Sequence, residues 1–320
     1  MVKTLHILLT AALITSTVTS VTHYAQKAET ASVLIPTSNL HSISQTNASK
    51  SPINRCMNMS AMEAPNEGDW YNYKIRKSHL KAVSMAGFDT IRLPVRISAH
   101  TNKFPPYQIK PALLKRMDEL VTWSIEYNLN IIIDVHNFYE INDNADTEEP
   151  RLDAIWDQLA THYAAAPSNV IFEFLNEPFG DMTNKRVDIL NRRILKRIRR
   201  DNPNRWVIIG GAEWGTLHGL FRSNPPKDPK TIATFHYYNP FKYTHQGSNW
   251  TNPPIPMGAK WGSDKDKKKI MKDFQDAKNW SNENNIPLFL GEFGTHKVLQ
   301  QGLSALGCME HRGACGGDGI

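Results

Sequence analysis

The stretch Val170-Ile171-Phe172-Glu173-Phe174-Leu175-Asn176-Glu177-Pro178 is an apolar, aromatic-rich run that stops abruptly in Asn-Glu-Pro. Its β-branched and aromatic residues read as a buried strand. Pro178 cannot donate to a sheet ladder and ends it. The strand thus delivers a carboxylate, beside an amide, at its C-terminal end. The chain repeats the device at Leu288-Phe289-Leu290-Gly291-Glu292-Phe293-Gly294.

Around these two stretches, strand-like and helix-like segments alternate. Strands are expected at Pro52–Met59, Asp89–Val95, Asn130–His136, Val170–Pro178, Trp206–Gly210, Thr231–His236 and Pro287–Glu292. Helices are expected at Ile75–Ala86, Pro111–Tyr127, Arg151–Ala166, Asn184–Arg200 and Asp266–Glu283, with Gly87 closing the first and Pro111 opening the second. Such alternation implies parallel pairing through right-handed crossovers. Seven units in this span suit a (β/α)8 TIM barrel of the α/β class better than an open sheet, and the active site is then expected in the loops where strands end.

The eighth unit is the exception. Gly302 to Ile320 holds six of the chain's eighteen glycines in nineteen residues, with no apolar run of strand length. We expect the eighth β/α unit to be missing or aberrant, through truncation or a shift of reading frame near Lys297. Strands one and seven would then each keep an unpaired edge, an aggregation liability.

The remaining composition narrows the function class. Lys3 followed by the apolar run Leu5–Val18 and then small residues reads as a secretory signal peptide over 1–25, ending near Ser20 or Ala25. Residues 26–50, rich in Ser, Thr, Ala and Asn, read as a flexible linker, 51–296 as the barrel and 297–320 as an aberrant Gly-rich tail. The expected location is secreted, extracellular or periplasmic, with no stable membrane association after cleavage. The net charge of +6 is modest, and the run Lys265–Lys269 reads as a solvated helix face rather than a nucleic-acid groove. Of three cysteines, Cys56 is expected as a core thiol, and Cys308 and Cys315 lie in the tail; neither a disulfide framework nor zinc spacing is implied. There is no phosphate-cradling Gly-rich loop and no Gly-x-Ser-x-Gly elbow. Strand one carries no His or acid for a metal cluster. No cofactor or metal is expected, and the chain is expected to be monomeric.

Side chains alternate along strands, so parity sorts inward from outward positions. Glu173 shares a parity with Glu177, Asp134 with His136, and Thr234 with His236 and Tyr238; Glu292 aligns with Leu290 and Leu288, and Arg92 with Thr90. If these face the interior, Arg92, His136, Glu177, His236, Tyr238 and Glu292 meet at one mouth. Two carboxylates from separate strands, facing one cleft, are what glycoside hydrolysis needs: one protonated for the leaving oxygen, one ionised. Glu173, about 13 Å below Glu177 at about 3.3 Å per residue, is too far to join the pair and is expected to meet Arg92 as a structural ion pair.

In order along the chain, Met62-Glu63-Ala64-Pro65, Phe88-Asp89-Thr90-Ile91-Arg92-Leu93-Pro94-Val95, Asp134-Val135-His136, Phe174-Leu175-Asn176-Glu177-Pro178, Phe235-His236-Tyr237-Tyr238 and Gly291-Glu292-Phe293-Gly294 resemble glycoside hydrolase family 5, which includes bacterial cellulases. The resemblance runs from about Ile53 to Gly294. It implies a (β/α)8 barrel that hydrolyses β-linked polysaccharides with retention. It implies Glu177 as acid/base and Glu292 as nucleophile. Asn176 would bond the sugar hydroxyl beside the reacting carbon. Arg92 would hold the nucleophile ionised, His136 and His236 would line the cleaved-bond subsite, and Tyr238 would bond Glu292. Asn239–Trp250 resembles a cleft segment, making His245 and Trp250 substrate candidates together with Trp214, while the helical Trp123, Trp156 and Trp280 are expected in the core. The family usually sets an aromatic residue, typically Trp, at the end of strand eight, and this chain has no Trp after Trp280. The expected activity is endo-β-1,4-glucan hydrolysis. A mannanase, a mixed-linkage glucanase and a non-catalytic carbohydrate-binding remnant stand as alternatives.

Overall fold

The computed structural model describes residues 50–296 and the backbone of 314–316. The expected signal peptide, the linker and most of the Gly-rich tail lie outside the described residues. Among these residues no helix is long and apolar enough to cross a membrane.

Seven parallel strands follow one another around the sheet: β1 (Arg55–Asn58), β2 (Thr90–Val95), β3 (Asn130–Val135), β4 (Val170–Glu173), β5 (Val207–Gly210), β6 (Thr231–Tyr237) and β7 (Leu288–Phe293). The outer helices are α1 (Lys77–Met85), α2 (Pro111–Glu126), α3 (Tyr139–Asp143), α4 (Ala145–His162), α5 (Asn184–Asp201), α6 (Leu217–Phe221), α7 (Phe241–Thr244) and α8 (Asp264–Asn284). Each strand pairs with the next in sequence, the arrangement of a nearly closed (β/α)8 barrel. Ile132, Ile171, Ile208, Ile232 and Phe289 fill the interior with Cys56, and a second, larger core lies between the strands and the helices.

Two boundaries moved. The β4 ladder ends at Glu173, before the Asn-Glu-Pro motif, although Phe174 N–H still reaches the Ile208 carbonyl (3.1 Å) and Asn176 N–H the Val135 carbonyl (3.0 Å). Helix α4 begins at Ala145 rather than Arg151 and runs through Pro150. A proline there removes one backbone bond, and this turn is held from outside. Asp146, Glu149, Asp153 and Asp157 on α4 interlock with Arg186, Arg193, Arg197 and Arg200 on α5 in a continuous ion-pair ladder. The basic face of α5 is therefore neutralised within the barrel.

The eighth unit is aberrant, as expected, although the tail does supply a short strand. Ala314–Gly316 forms β8, but it runs antiparallel to β1, pairing Arg55 with Gly316, Cys56 with Cys315 and Met57 with Ala314. It also comes within 8 Å of β7, Cα to Cα. β1 therefore does not keep a bare edge, and across the top of the gap Asn58 Nδ2 donates to the Gly291 carbonyl at 3.1 Å.

Parity fails at β7, for a physical reason. Leu288 and Leu290 pack outward on the helix-side core, whereas Phe289 points into the barrel. The β6–β7 register shifts at Phe235/His236, so Phe235 faces Leu290 while His236 faces Glu292. The bulge passes over Gly291, where a Cβ would come within 2.8 Å of His236 Nε2 and Thr234 Oγ1. One extra residue re-aims the following side chain inward, so Glu292 faces the interior although Leu288 and Leu290 do not.

The ladder yields a prediction. Arg193 pairs with Glu149 at 2.6 Å and Asp153 at 3.0 Å, partly exposed to solvent. Arg193→Met keeps the stem and removes both pairs, and should cost about 1 kcal/mol and lower Tm by about 2–3 °C. The difference should shrink in 1 M NaCl, where the screening length is about 3 Å. Thermal melts at low and high salt check this, and a salt-independent difference would mean that the ladder acts through packing alone.

Candidate active site

At the C-terminal mouth of the barrel the buried Arg92 side chain, rising from β2, acts as the hub. Its Nε and Nη2 bind Glu173 at 2.7 and 2.8 Å, Nη2 also meets Asp134 (2.9 Å) and Asn176 Oδ1 (2.8 Å), and Nη1 binds Glu292 at 2.8 Å. The Arg92–Glu173 ion pair is present, deep below the motif. Asp134 also takes His136 Nδ1 at 2.6 Å. Tyr238 OH donates to the second oxygen of Glu292 at 2.9 Å. His236 Nδ1 lies 2.6 Å from Glu177 and 3.7 Å from Glu292. One oxygen of each of these carboxylates and a His236 nitrogen all lie within 4.8 Å of one another.

Glu177 arrives there by an irregular route. It lies past the end of β4 with a φ of +45°, uncommon for any residue but glycine. Such a conformation costs on the order of 1–3 kcal/mol. Gly215 in the next loop lies beside Glu177 at a φ of +64°, a conformation that favours glycine.

The electrostatics separate the groups. Burial works to raise the Glu292 carboxyl, but His236, Arg92 and His136 outweigh it and hold the group well below the usual carboxylate range. His136 is opposed by burial, yet Asp134 pushes it up to about 9, so it is an imidazolium at neutral pH. His236 also is raised, against burial, by Glu292 and Glu177. Tyr238 is raised by burial and by both carboxylates and stays a hydroxyl donor. The His236–Glu177–Glu292 trio has donor atoms of a kind that could hold a divalent ion, but both Glu292 oxygens are already engaged by Arg92 and Tyr238 and a guanidinium stands beside it.

The structure thus brings together Arg92, His136, Asn176, Glu177, His236, Tyr238 and Glu292. His245 stands one ring away, 5.2 Å from Tyr238, and Trp250 one further, 6.3 Å from His245 and 62% exposed. Trp214 lies on the rim, stacked on Phe179 at 4.9 Å. Trp156 and Trp280 are buried in the core and Trp123 is half-buried against Arg116.

A family profile, Cellulase (glycosyl hydrolase family 5), matches residues 46–312. The chain belongs to glycosyl hydrolase family 5. Among its relatives, Endoglucanase H of Acetivibrio thermocellus is 37% identical over 234 residues, 73% of this chain and 25% of that protein. Endoglucanase 3 of Fibrobacter succinogenes is 25% identical over 292 residues, 76% of this chain and 44% of that protein. The chain therefore spans between a quarter and a half of the length of these relatives. Endoglucanase Cel5A from the hyperthermophilic Thermotoga maritima superposes with a TM-score of 0.73 at 37% identity, covering 75% of this chain and 79% of that one. Structures of that protein have been solved in complex with mannotriose and with cellobiose. The cellulose synthase subunit Z of Clostridioides difficile superposes with a TM-score of 0.73 at 30% identity, covering 77% of this chain and 82% of that one.

Within this family 5 barrel, three acids in or beside the site were not among the sequence candidates. Asp134 shares an inward parity with His136, a signal that could have found it. Glu63 takes the Tyr71 hydroxyl at 2.6 Å and is pushed up by burial, with His136 opposing and Glu292 adding to the rise. Its Met-Glu-Ala-Pro motif marked the family without giving the acid a role. Glu213 beside Trp214 carried no sequence signal. The segment where the sequence lacks the family's usual strand-eight aromatic residue lies largely outside the described residues.

A pH prediction follows from His136. Its folded pKa of about 9 lies above the ordinary 6.5. Its contribution is therefore complete below pH 6.5 and is lost as pH rises through 9. The contribution is on the order of 3 kcal/mol, at 1.36 kcal/mol per pKa unit. Urea unfolding at steps across this range should show stability falling, and His136→Asn should flatten that limb. An unchanged slope in the variant would place the titrating group elsewhere.

Proposed function

We propose that this chain is a secreted retaining endo-β-1,4-glucanase acting by double displacement. The carrying observation is the spacing: a Glu177 oxygen and a Glu292 oxygen lie within 4.8 Å of each other. Retaining glycosidases hold their carboxyl groups about 5–5.5 Å apart, whereas inverting ones leave about 6.5–9.5 Å for a water. Endoglucanase relatives support the same reading.

Glu292, kept ionised, attacks the anomeric carbon as the glycosidic bond breaks. Glu177 gives its proton to the departing oxygen. A water then enters, Glu177 takes its proton, and the hydroxide displaces Glu292 from the sugar. His236 Nδ1, 2.6 Å from Glu177, stays in contact with the group that must donate and then accept a proton. Asn176, its Oδ1 fixed by Arg92, offers its amide N–H to the hydroxyl beside the reacting carbon. The ring series Tyr238, His245, Trp250 provides apolar faces for further sugars.

A second reading, hydrolysis of β-mannan, is favoured by the mannotriose complex of the Thermotoga maritima protein. Reducing-sugar release from carboxymethylcellulose, lichenan, mannan and xylan separates the two. Glu177→Gln should lower kcat/KM by about 10²–10⁴-fold, with azide restoring part of the turnover of Glu177→Ala. Glu292→Gln should lose turnover while still binding glucan. Proton NMR should show the β-anomer released first. An α-anomer first, or wild-type turnover in either variant, would overturn the mechanism, and binding without hydrolysis by the unmodified chain would support the non-catalytic alternative.

A further inference from the structure

Glu213, Trp214 and Gly215 are three consecutive residues in the left-handed region, with φ of +59°, +57° and +64°. L-residues visit that region singly; a run including Glu and Trp has to be held in place by its surroundings. The holding contacts are visible. The Glu213 carboxylate accepts from Asn184 Nδ2 at 2.9 Å, from Arg222 Nη1 at 3.1 Å and pairs with His218 Nδ1. Asn184 opens α5, His218 lies in α6 and Arg222 follows it. Burial acts to raise the Glu213 carboxyl, but His218 and Asn184 outweigh it and keep it ionised.

The turn is tied at both ends to the proton-donor side of the cleft. Trp214 N–H donates to the Pro178 carbonyl at 3.2 Å, one residue past Glu177, and the Gly215 carbonyl accepts from His236 N–H at 2.7 Å. The Trp214 ring lies 13° from parallel to Phe179, itself two residues beyond Glu177. With one face covered in this way, Trp214 is still 55% exposed. An aromatic face of this kind packs against the apolar face of a pyranose ring. The group that Glu177 protonates is the departing sugar, so a ring fixed to the Glu177 loop is fixed relative to that sugar.

We propose that Glu213 is a positioning residue that, through this left-handed turn, holds Trp214 as a stacking floor for the leaving-group sugar. This rests on the glycosidase reading above. The test compares cellopentaose, whose leaving group is a sugar, with 2,4-dinitrophenyl β-cellobioside, whose leaving group is not. In Trp214→Ala the ratio of kcat/KM for cellopentaose to that for the aryl substrate should fall about tenfold, with KM for cellopentaose rising. Glu213→Ala should lower the same ratio by a smaller factor, and Glu213→Gln, which keeps an acceptor for Asn184, should recover part of it. The double variant should be no worse than Trp214→Ala alone. Equal losses on both substrates, an unchanged ratio in the soluble Glu213→Ala or Trp214→Ala protein, or additive losses in the double variant would each overturn the proposal. Unmodified chain inactive on both substrates would overturn the glycosidase reading itself, whereas an active chain with unchanged ratios overturns only the floor.

Discussion

A guanidinium buried to the last atom, with carboxylates from three other strands around it, is the constraint on which this barrel's mouth is built. Arg92 on β2 binds Asp134 on β3, Glu173 on β4 and Glu292 on β7. Removing a charge from water is costly, and burial alone acts against the charged form of Arg92. The carboxylates repay that cost only while the strands hold them within hydrogen-bond reach. The cluster is therefore as much a gauge of barrel geometry as a source of stability. A shift of any one strand would leave a buried carboxylate without its counter-charge.

The same cluster divides labour between acids of one chemical type. Glu173 and Asp134 are structural: they neutralise Arg92 and, through Asp134, keep His136 charged. Glu292 lies at the edge of the cluster. It receives one guanidinium nitrogen and one tyrosine hydroxyl and is pulled toward the ionised form by three cations. Glu177 is outside it, bonded to His236 rather than to Arg92. Two carboxylates within 4.8 Å thus sit in different environments, one held by permanent charge and one by a histidine that can titrate.

How far the chain could be read from its residues follows from what periodicity encodes. The seven parallel strands and the major helices were legible because strand and helix periods are written in apolar spacing. Arg92 and His136 were legible because they lie on or next to regular ladders, and His236 because the extra residue at the β6–β7 shift falls in β7 and leaves β6 in step. Glu292 was placed inside by an argument that fails, since its supposed companions Leu288 and Leu290 face the helices. The bulge that rescues it depends on Gly291 fitting beneath His236, a steric fact between two strands that no single stretch displays. Glu177 likewise sits beyond its ladder, at a positive φ that parity cannot anticipate. The Glu213 turn was invisible for the same reason: its backbone lies at positive φ, and Asn184, one of the residues that hold it, is 29 residues away. The sixth-position proline in α4 misled in the opposite direction, because the ion-pair ladder that sustains that first turn is an inter-helix property.

The irregular eighth unit bears on stability and on the site in different ways. The groups around the carboxylate pair come from β2, β3, β4, β6 and β7 and the loops that follow them. Of these, only β7 borders the gap. Its upper end is fixed from two directions: β6 sets the register that turns Glu292 inward, and Asn58 reaches across from β1 to the carbonyl of Gly291, the residue before it. The position of Glu292 is thus specified by neighbours on both sides without an eighth parallel strand. What an antiparallel three-residue β8 cannot supply is a full ladder to β7 along the lower barrel. The loss falls where Phe289 packs against the interior isoleucines, in the cohesion of the barrel rather than in the geometry of its mouth.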